Sequence, residues 1–139
     1  MRAIITGMLL GAVVLLAAGC NSSPSVPYPA DKELIDLFYN QKAQFEQLKK
    51  DPKNKDLLAA LGIMGVSLFP KPPAEIWFKV WVMDFPGPGG CAKGYAYLEK
   101  APAPIVKSID DAADPGSPEQ MKVFRIIEGN WYLYYASAN

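Results

Sequence analysis

Residues 31–50 carry a helical pattern of apolar positions. Apolar side chains recur there every three or four residues, and Pro52 ends the run. Asp31 suits the N-cap of a helix, while Lys49 and Lys50 suit the negative end of its dipole. The pattern therefore predicts one long helix of about five turns. Its apolar stripe consists of Leu34, Leu37, Phe38, Phe45 and Leu48.

Residues 51–61 predict a second, shorter helix, which Gly62 is suited to end. After residue 75 the apolar period changes to two, which is typical of strands. Gly129 and Asn130 fit the two central positions of a type II′ turn. Helices followed by strands without alternation predict an α+β domain, in which a long N-terminal helix and a shorter helix pack on an antiparallel sheet of about four strands. The predicted strands are residues 76–83, 93–99, 121–128 and 131–136.

The predicted hairpin also assigns side chains to the two faces of the sheet. A two-residue turn places Glu128 opposite Trp131 and Phe124 opposite Tyr135, on the face expected to pack against the helices. Aromatic residues interleaved with charges fall on the far face, a composition that contact surfaces use. An alternative is that the shorter helix and residues 101–118 cover these rings as a second core layer. The candidate binding face is Trp77, Lys79, Trp81, Tyr95, Tyr97, Arg125, Tyr132 and Tyr134.

The N-terminus has the features of a secretory signal. Arg2 is followed by sixteen uncharged residues, 3–18, which as a helix span about 24 Å and fall short of the hydrocarbon core of a bilayer. A charged start, an apolar middle and a small-residue end are typical of a signal peptide.

Residues 15–20, LLAAGC, resemble the lipobox of bacterial lipoprotein precursors, although Ala17 stands where that family most often has leucine. The resemblance implies cleavage between Gly19 and Cys20 by signal peptidase II and acylation of Cys20. Because Asn21 rather than aspartate follows the cysteine, the resemblance to Gram-negative members implies an outer-membrane anchor facing the periplasm. Two or three acyl chains hold a protein on a membrane stably.

The chain thus divides into three parts. Residues 1–19 are the predicted signal peptide, and residues 31–139 form one α+β domain. Between them, residues 20–30 comprise the lipidated cysteine and a segment with three prolines, three serines and no charge, which is typical of an extended tether.

Composition narrows the function further. The 14 basic and 14 acidic side chains balance, so no cationic excess favours nucleic acid. The absence of histidine removes the commonest general base and zinc ligand. Cys91, the cysteine not committed to lipid, is expected to be buried; a disulfide to a second chain and a reactive thiol are the alternatives. No phosphate loop, EF-hand or carboxylate pair emerges, so we predict no cofactor, metal site or enzyme activity.

The sequence accordingly predicts a non-catalytic envelope lipoprotein that acts as a binding module. Its expected partners are the membrane, through the lipid on Cys20, and an envelope protein or glycan, with a dimer through Cys91 as a further candidate. The alternative is a periplasmic immunity or inhibitor lipoprotein that neutralises a toxin or hydrolase. A third class, a hydrolase or thiol enzyme that uses Cys91, lacks a residue to activate the thiol.

Overall fold

The computed structural model describes residues 27–138, so the predicted signal peptide, Cys20 and the tether up to residue 26 lie outside the described residues. The described chain has an α+β fold with a five-stranded antiparallel sheet and a few short helices. None of the helices within residues 27–138 has the length and apolar composition needed to cross a membrane.

The helices are α1 Asp31–Asn40, α2 Lys42–Lys50, α3 Lys55–Ala60 and α4 Ile109–Ala112. The prediction of one helix over residues 31–50 is therefore wrong, because the helix breaks at Gln41, where φ is −119°. Phe38 and Phe45 lie on the two sides of the break, and both rings contact Trp131, with centroids 5.5 and 5.7 Å away. The break lets two short helices pack around a single indole ring.

The strands are β1 Gly65–Phe69, β2 Glu75–Asp84, β3 Gly90–Leu98, β4 Met121–Glu128 and β5 Trp131–Ala138. They lie in the order β1-β2-β3-β5-β4, and all neighbouring pairs are antiparallel. The sheet therefore has one strand more than the predicted four. The added strand is β1, part of the apolar segment 63–69, which could be read as a short strand although Gly65 weakens the pattern.

The main core lies between the helices and one face of the sheet. Side chains from α1, α2 and α4 pack there on the inward-facing rings and aliphatic groups of the strands. A second, smaller buried cluster lies on the opposite face and contains residues of strands only. We call this opposite face the open face. Among the described residues, its buried members are Ala96, Leu98, Phe124, Tyr132 and Tyr134.

Candidate functional site

Two bulges determine which side chains reach the open face. The β4–β5 hairpin closes as predicted, with Glu128 opposite Trp131 and a φ of +56° at Gly129. The next residue, Ile127, is bulged, so the pairing beyond it shifts by one residue and Phe124 lies opposite Tyr134 rather than the following tyrosine. A bulge places one extra residue in a strand and thereby reverses the faces of all residues beyond it.

The second bulge lies in β2. Lys79 pairs with Gly94, whereas Trp81 pairs with Lys93, so Val80 is the extra residue. As a result Trp77 and Lys79 lie on the open face, while Trp81, two residues further on, turns toward the helices. Simple alternation along this strand cannot predict that change of side.

The eight predicted binding-face residues therefore do not share one face, and that prediction is wrong. Trp81, Tyr95 and Tyr97 pack in the core against the helices, and Arg125 lies on the same side, where it reaches the start of α1. The assignment of β3 was inverted, because Ala96 and Leu98 face away from the helices. The predicted residues that remain on the open face are Trp77, Lys79, Tyr132 and Tyr134.

Trp77 is the centre of the aromatic cluster on the open face. Its ring centroid lies 4.8 Å from that of Tyr134 and 5.7 Å from that of Phe124. Its Nε1 donates a hydrogen bond to Oε2 of Glu75 at 2.9 Å. The ammonium group of Lys122 lies 5.5 Å from the ring centroid, within range of a cation–π contact. These contacts hold the indole in one orientation at the surface.

Tyr132 and Tyr134 are only 5% and 4% exposed, although no helix of residues 27–138 covers them. Burial raises the pKa of the Tyr134 hydroxyl, so the phenol stays neutral on this face. The burial of these two rings agrees with the alternative of a second core layer, but the shorter helix and residues 101–118 do not belong to this cluster, and Trp77 packs against it instead.

A groove of about 320 Å³ runs beside this cluster. Its floor is formed by the small side chains of Ala92 and Ala136, and its walls by Phe69, Trp77 and Tyr134. Two lysines, Lys79 and Lys122, border it. Sequence analysis missed Phe69, Ala92, Lys122 and Ala136. The alternation of side chains along the strands would identify these residues only if the positions of both bulges were known.

A buried ion cluster lies on the other face, which is packed against the helices. Lys93 is fully buried, and its Nζ lies 2.6 Å from Oδ1 of Asp31 and 2.8 Å from Oδ1 of Asp110. Arg125 Nη1 lies 2.9 Å from the other Asp31 oxygen, Oδ2. The backbone N–H of Ile109 donates to this same oxygen at 2.8 Å.

Burial and pairing oppose one another in this cluster. Burial disfavours the charged ammonium of Lys93, but the carboxylates of Asp110 and Asp31 outweigh it and raise the pKa of Lys93. Burial likewise disfavours the carboxylate of Asp31, yet hydrogen bonds from Lys93, Arg125 and the Ile109 amide lower the pKa of Asp31. Lys93 and Asp31 are therefore both charged at neutral pH, and the cluster is a structural arrangement of paired charges.

The last residues of the predicted tether join this cluster. Lys93 Nζ donates to the carbonyl oxygen of Pro29 at 2.8 Å and lies 4.5 Å from the ring centroid of Tyr28. The Tyr28 ring also makes an edge contact with Trp81 at 5.0 Å between centroids. Residues 28–30 are therefore part of the folded domain, and the predicted tether of residues 20–30 is too long by these three residues.

Cys91 is free and only 5% exposed, on the helical side of β3. Burial, followed by the neighbouring Cys91, raises the pKa of Tyr135. A disulfide to a second chain would require this part of the core to open. Within the described part of the chain, no group of three or more His, Cys, Asp and Glu residues has the proximity needed to hold a metal ion.

No family model matches the chain, and no curated protein or solved structure matches it either.

Proposed function

We propose that this chain is a non-catalytic lipoprotein of the bacterial envelope, anchored through Cys20 in the outer membrane and facing the periplasm. In this proposal the open face binds another envelope protein through the groove beside Trp77. The observation that carries the proposal is an oriented indole, a floor of alanines and two bordering lysines on a sheet face without helices.

The anchor would hold the domain close to the membrane. The chain enters the fold at Tyr28, whose ring contacts Lys93 and Trp81. About seven residues then separate Cys20 from the domain, and a chain of that length reaches at most about 25 Å. A partner must therefore be exposed within a short distance of the membrane surface.

The chemistry of the groove favours a protein partner over a glycan. Ala92 and Ala136 leave space for one apolar side chain between Phe69 and Trp77. Lys79 and Lys122 supply positive charge, whereas the nearest carboxylate, Glu75, accepts a hydrogen bond from the indole. An apolar side chain flanked by carboxylates fits this arrangement. A sugar ring fits it less well, because Lys122 and two aromatic rings already occupy positions around Trp77.

The test is crosslinking of the membrane-anchored full chain in its own cells, followed by mass spectrometry of the captured proteins. We expect one dominant envelope protein with the wild-type chain and its loss with Lys79→Glu combined with Lys122→Glu. The matched control is Lys53→Glu combined with Lys55→Glu, which makes the same change in charge at exposed positions near α3. This control should retain the partner.

Equal capture by the two double variants would contradict the proposed site, and binding of a purified envelope glycan without any protein partner would contradict the proposed ligand class. The anchor has its own test in the N-terminal peptide. We expect acylated Cys20 in the wild-type chain and release of the Cys20→Ser chain from the membrane. An unmodified Cys20 in the membrane fraction would contradict the anchor.

A further inference from the structure

β1 is an edge strand with an unusual composition. The sequence of Gly65–Phe69 is GVSLF, and it contains no charge and no proline, two of the devices with which natural proteins protect sheet edges. Ser67, Leu68 and Phe69 are exposed, and Phe69 is 55% exposed. The opposite edge of the sheet is covered, because Val106 and Pro104 form backbone hydrogen bonds with Phe124 of β4.

We propose that β1 pairs with β1 of a second copy of this chain, antiparallel and centred on Ser67. A two-fold axis that relates antiparallel strands in one continuous sheet is perpendicular to the sheet and keeps the faces matched, so its centre coincides with a residue. Centring on Ser67 uses all five residues of β1. Ser67 then lies opposite Ser67, Val66 opposite Leu68, and Gly65 opposite Phe69.

This register is self-complementary in shape. Gly65 and Phe69 both lie on the open face, where their partners in β2 are Lys79 and Glu75. A side-chain position at Gly65 would meet only the stem of Lys79, at 3.8 and 4.0 Å. The exposed Phe69 ring of the second copy would fill that space and pack on the same stem. On the other face, Val66 and Leu68 form an apolar pair.

The register also places no like charges next to each other across the interface. Residues that lie directly opposite one another form a row across four strands. In one such row, Lys79 and Gly65 of one copy are followed by Phe69 and Glu75 of the second copy. The row on the other side of Ser67 repeats this order by symmetry. A strand from an arbitrary partner need not fill the empty position at Gly65, whereas Phe69 of a second copy does.

The symmetry suits a pair of chains anchored in one membrane. Tyr28 lies on the helical side of the sheet, because its ring contacts Trp81 and Lys93. With the two-fold axis along the membrane normal, both chains would reach the membrane from their helical sides. Both open faces would point away from it as one ten-stranded surface. The dimer thus extends the proposed function, but its formation requires no ligand.

The test is disulfide formation by the full-length Ser67→Cys chain in membranes. Directly opposed residues of antiparallel strands have Cα atoms about 4.5–5.5 Å apart, which a disulfide can bridge. The matched control is Leu68→Cys, whose Cα atoms would lie about 8 Å apart in this register, too far for a disulfide. We expect a covalent dimer with Ser67→Cys and a monomer with Leu68→Cys and with the wild-type chain.

A second variant tests whether the Phe69 ring of the second copy packs at Gly65. Gly65→Val fits the monomer, since its contacts with Lys79 are ordinary, but it occupies the place of the second Phe69 ring. We expect Gly65→Val to abolish crosslinking in the Ser67→Cys background while thermal unfolding stays cooperative. A monomeric Ser67→Cys chain, equal crosslinking by Leu68→Cys, or full crosslinking in the presence of Gly65→Val would each overturn the dimer. None of these results depends on the ligand of the groove.

Discussion

The Nζ atom of Lys93, in β3, lies 2.6 Å from Oδ1 of Asp31, the first residue of α1. Both side chains are almost completely buried, at 0% and 2% exposure. This ion pair fixes the start of the helical layer on the sheet. Because Pro29 also accepts a hydrogen bond from Lys93, the same contact fixes the point where the chain leaves toward its proposed anchor.

Lys93→Met should therefore reduce the free energy of unfolding by about 3–5 kcal/mol, because Asp31 keeps its buried charge and loses its closest counter-ion. Urea unfolding of the full chain in detergent measures this loss. The control is Lys79→Met in the adjacent strand, whose side chain is exposed, and we expect it to stay within about 0.5 kcal/mol of wild type. Similar losses in the two variants would contradict the structural role of the buried pair.

Acid should weaken the fold through Asp31. Its pKa is lowered from the usual 3.8, chiefly because the hydrogen bonds from Lys93 and Arg125 outweigh the cost of burial. The carboxylate therefore stabilises the fold above pH 3.8, and this contribution is lost as the pH falls through the lower pKa of the folded state. As the pH is lowered from neutral, the denaturation midpoint should therefore decrease between pH 3.8 and the lower pKa of folded Asp31.

Asp31→Asn should have a lower denaturation midpoint than wild type at neutral pH, and its midpoint should decrease less as the pH falls. Asp36→Asn is the matched control, since Asp36 belongs to an exposed pair with Lys32. The denaturation midpoint of that variant should decrease with falling pH as it does in the wild-type chain. If the midpoint of Asp31→Asn decreased with falling pH as much as that of wild type, another carboxylate would be responsible for the acid sensitivity.

Alkali should ionise Tyr95 and Tyr134 only as the chain unfolds. Burial raises the pKa of both hydroxyls above the usual 10.0. A raised pKa in the folded state stabilises the fold below pH 10.0 and loses that contribution as the pH rises toward the folded value. The pKa of Lys93 is also raised, from its usual 10.5, so its contribution to stability is likewise lost as the pH rises above that value. Tyrosinate absorbance should therefore increase together with the loss of near-ultraviolet circular dichroism.

Tyr134→Phe should remove part of that absorbance without moving the transition to lower pH. Gradual ionisation of all the tyrosines in a chain that stays folded would contradict the burial of these two hydroxyls.

The groove offers a steric test that leaves its charges unchanged. Ala136→Leu puts a branched side chain on the floor of the groove, in the space proposed for an apolar side chain of the partner. We expect loss of the crosslinked partner with an unchanged urea midpoint. Ala59→Leu, at an exposed position of α3, is the control and should retain the partner. Retained binding by Ala136→Leu would place the partner elsewhere.

The class of fold was predictable because helical spacing is followed by strand spacing, and the hairpin was predictable because Gly129 begins a tight turn. The composition of the open face was not. Each of the bulges at Val80 and Ile127 inverts the residues beyond it, and neither bulged residue is itself a glycine or a proline. The helix break at Gln41, with Phe38 and Phe45 on its two sides in contact with Trp131, likewise has no local signal.

The bulge at Val80 does leave one signature in the sequence, on the opposite strand. Gly94 pairs with Lys79 beside the bulge, and a Cβ at this glycine would lie 1.9 Å from the carbonyl oxygen of Phe78. Backbone atoms cannot yield as a flexible side chain does, so Gly94→Ala must displace β2 from β3. We expect a loss of about 3 kcal/mol or more in the free energy of unfolding, at the upper end for overpacking. Gly65→Ala makes the same chemical change where the nearest atoms are 3.8 Å away, and it should leave the urea midpoint of the monomer close to wild type. Equal stability of the two alanine variants would mean that the strands do not approach each other closely at the bulge. In that case the assignment of Trp77 and Trp81 to opposite faces would lose its physical basis.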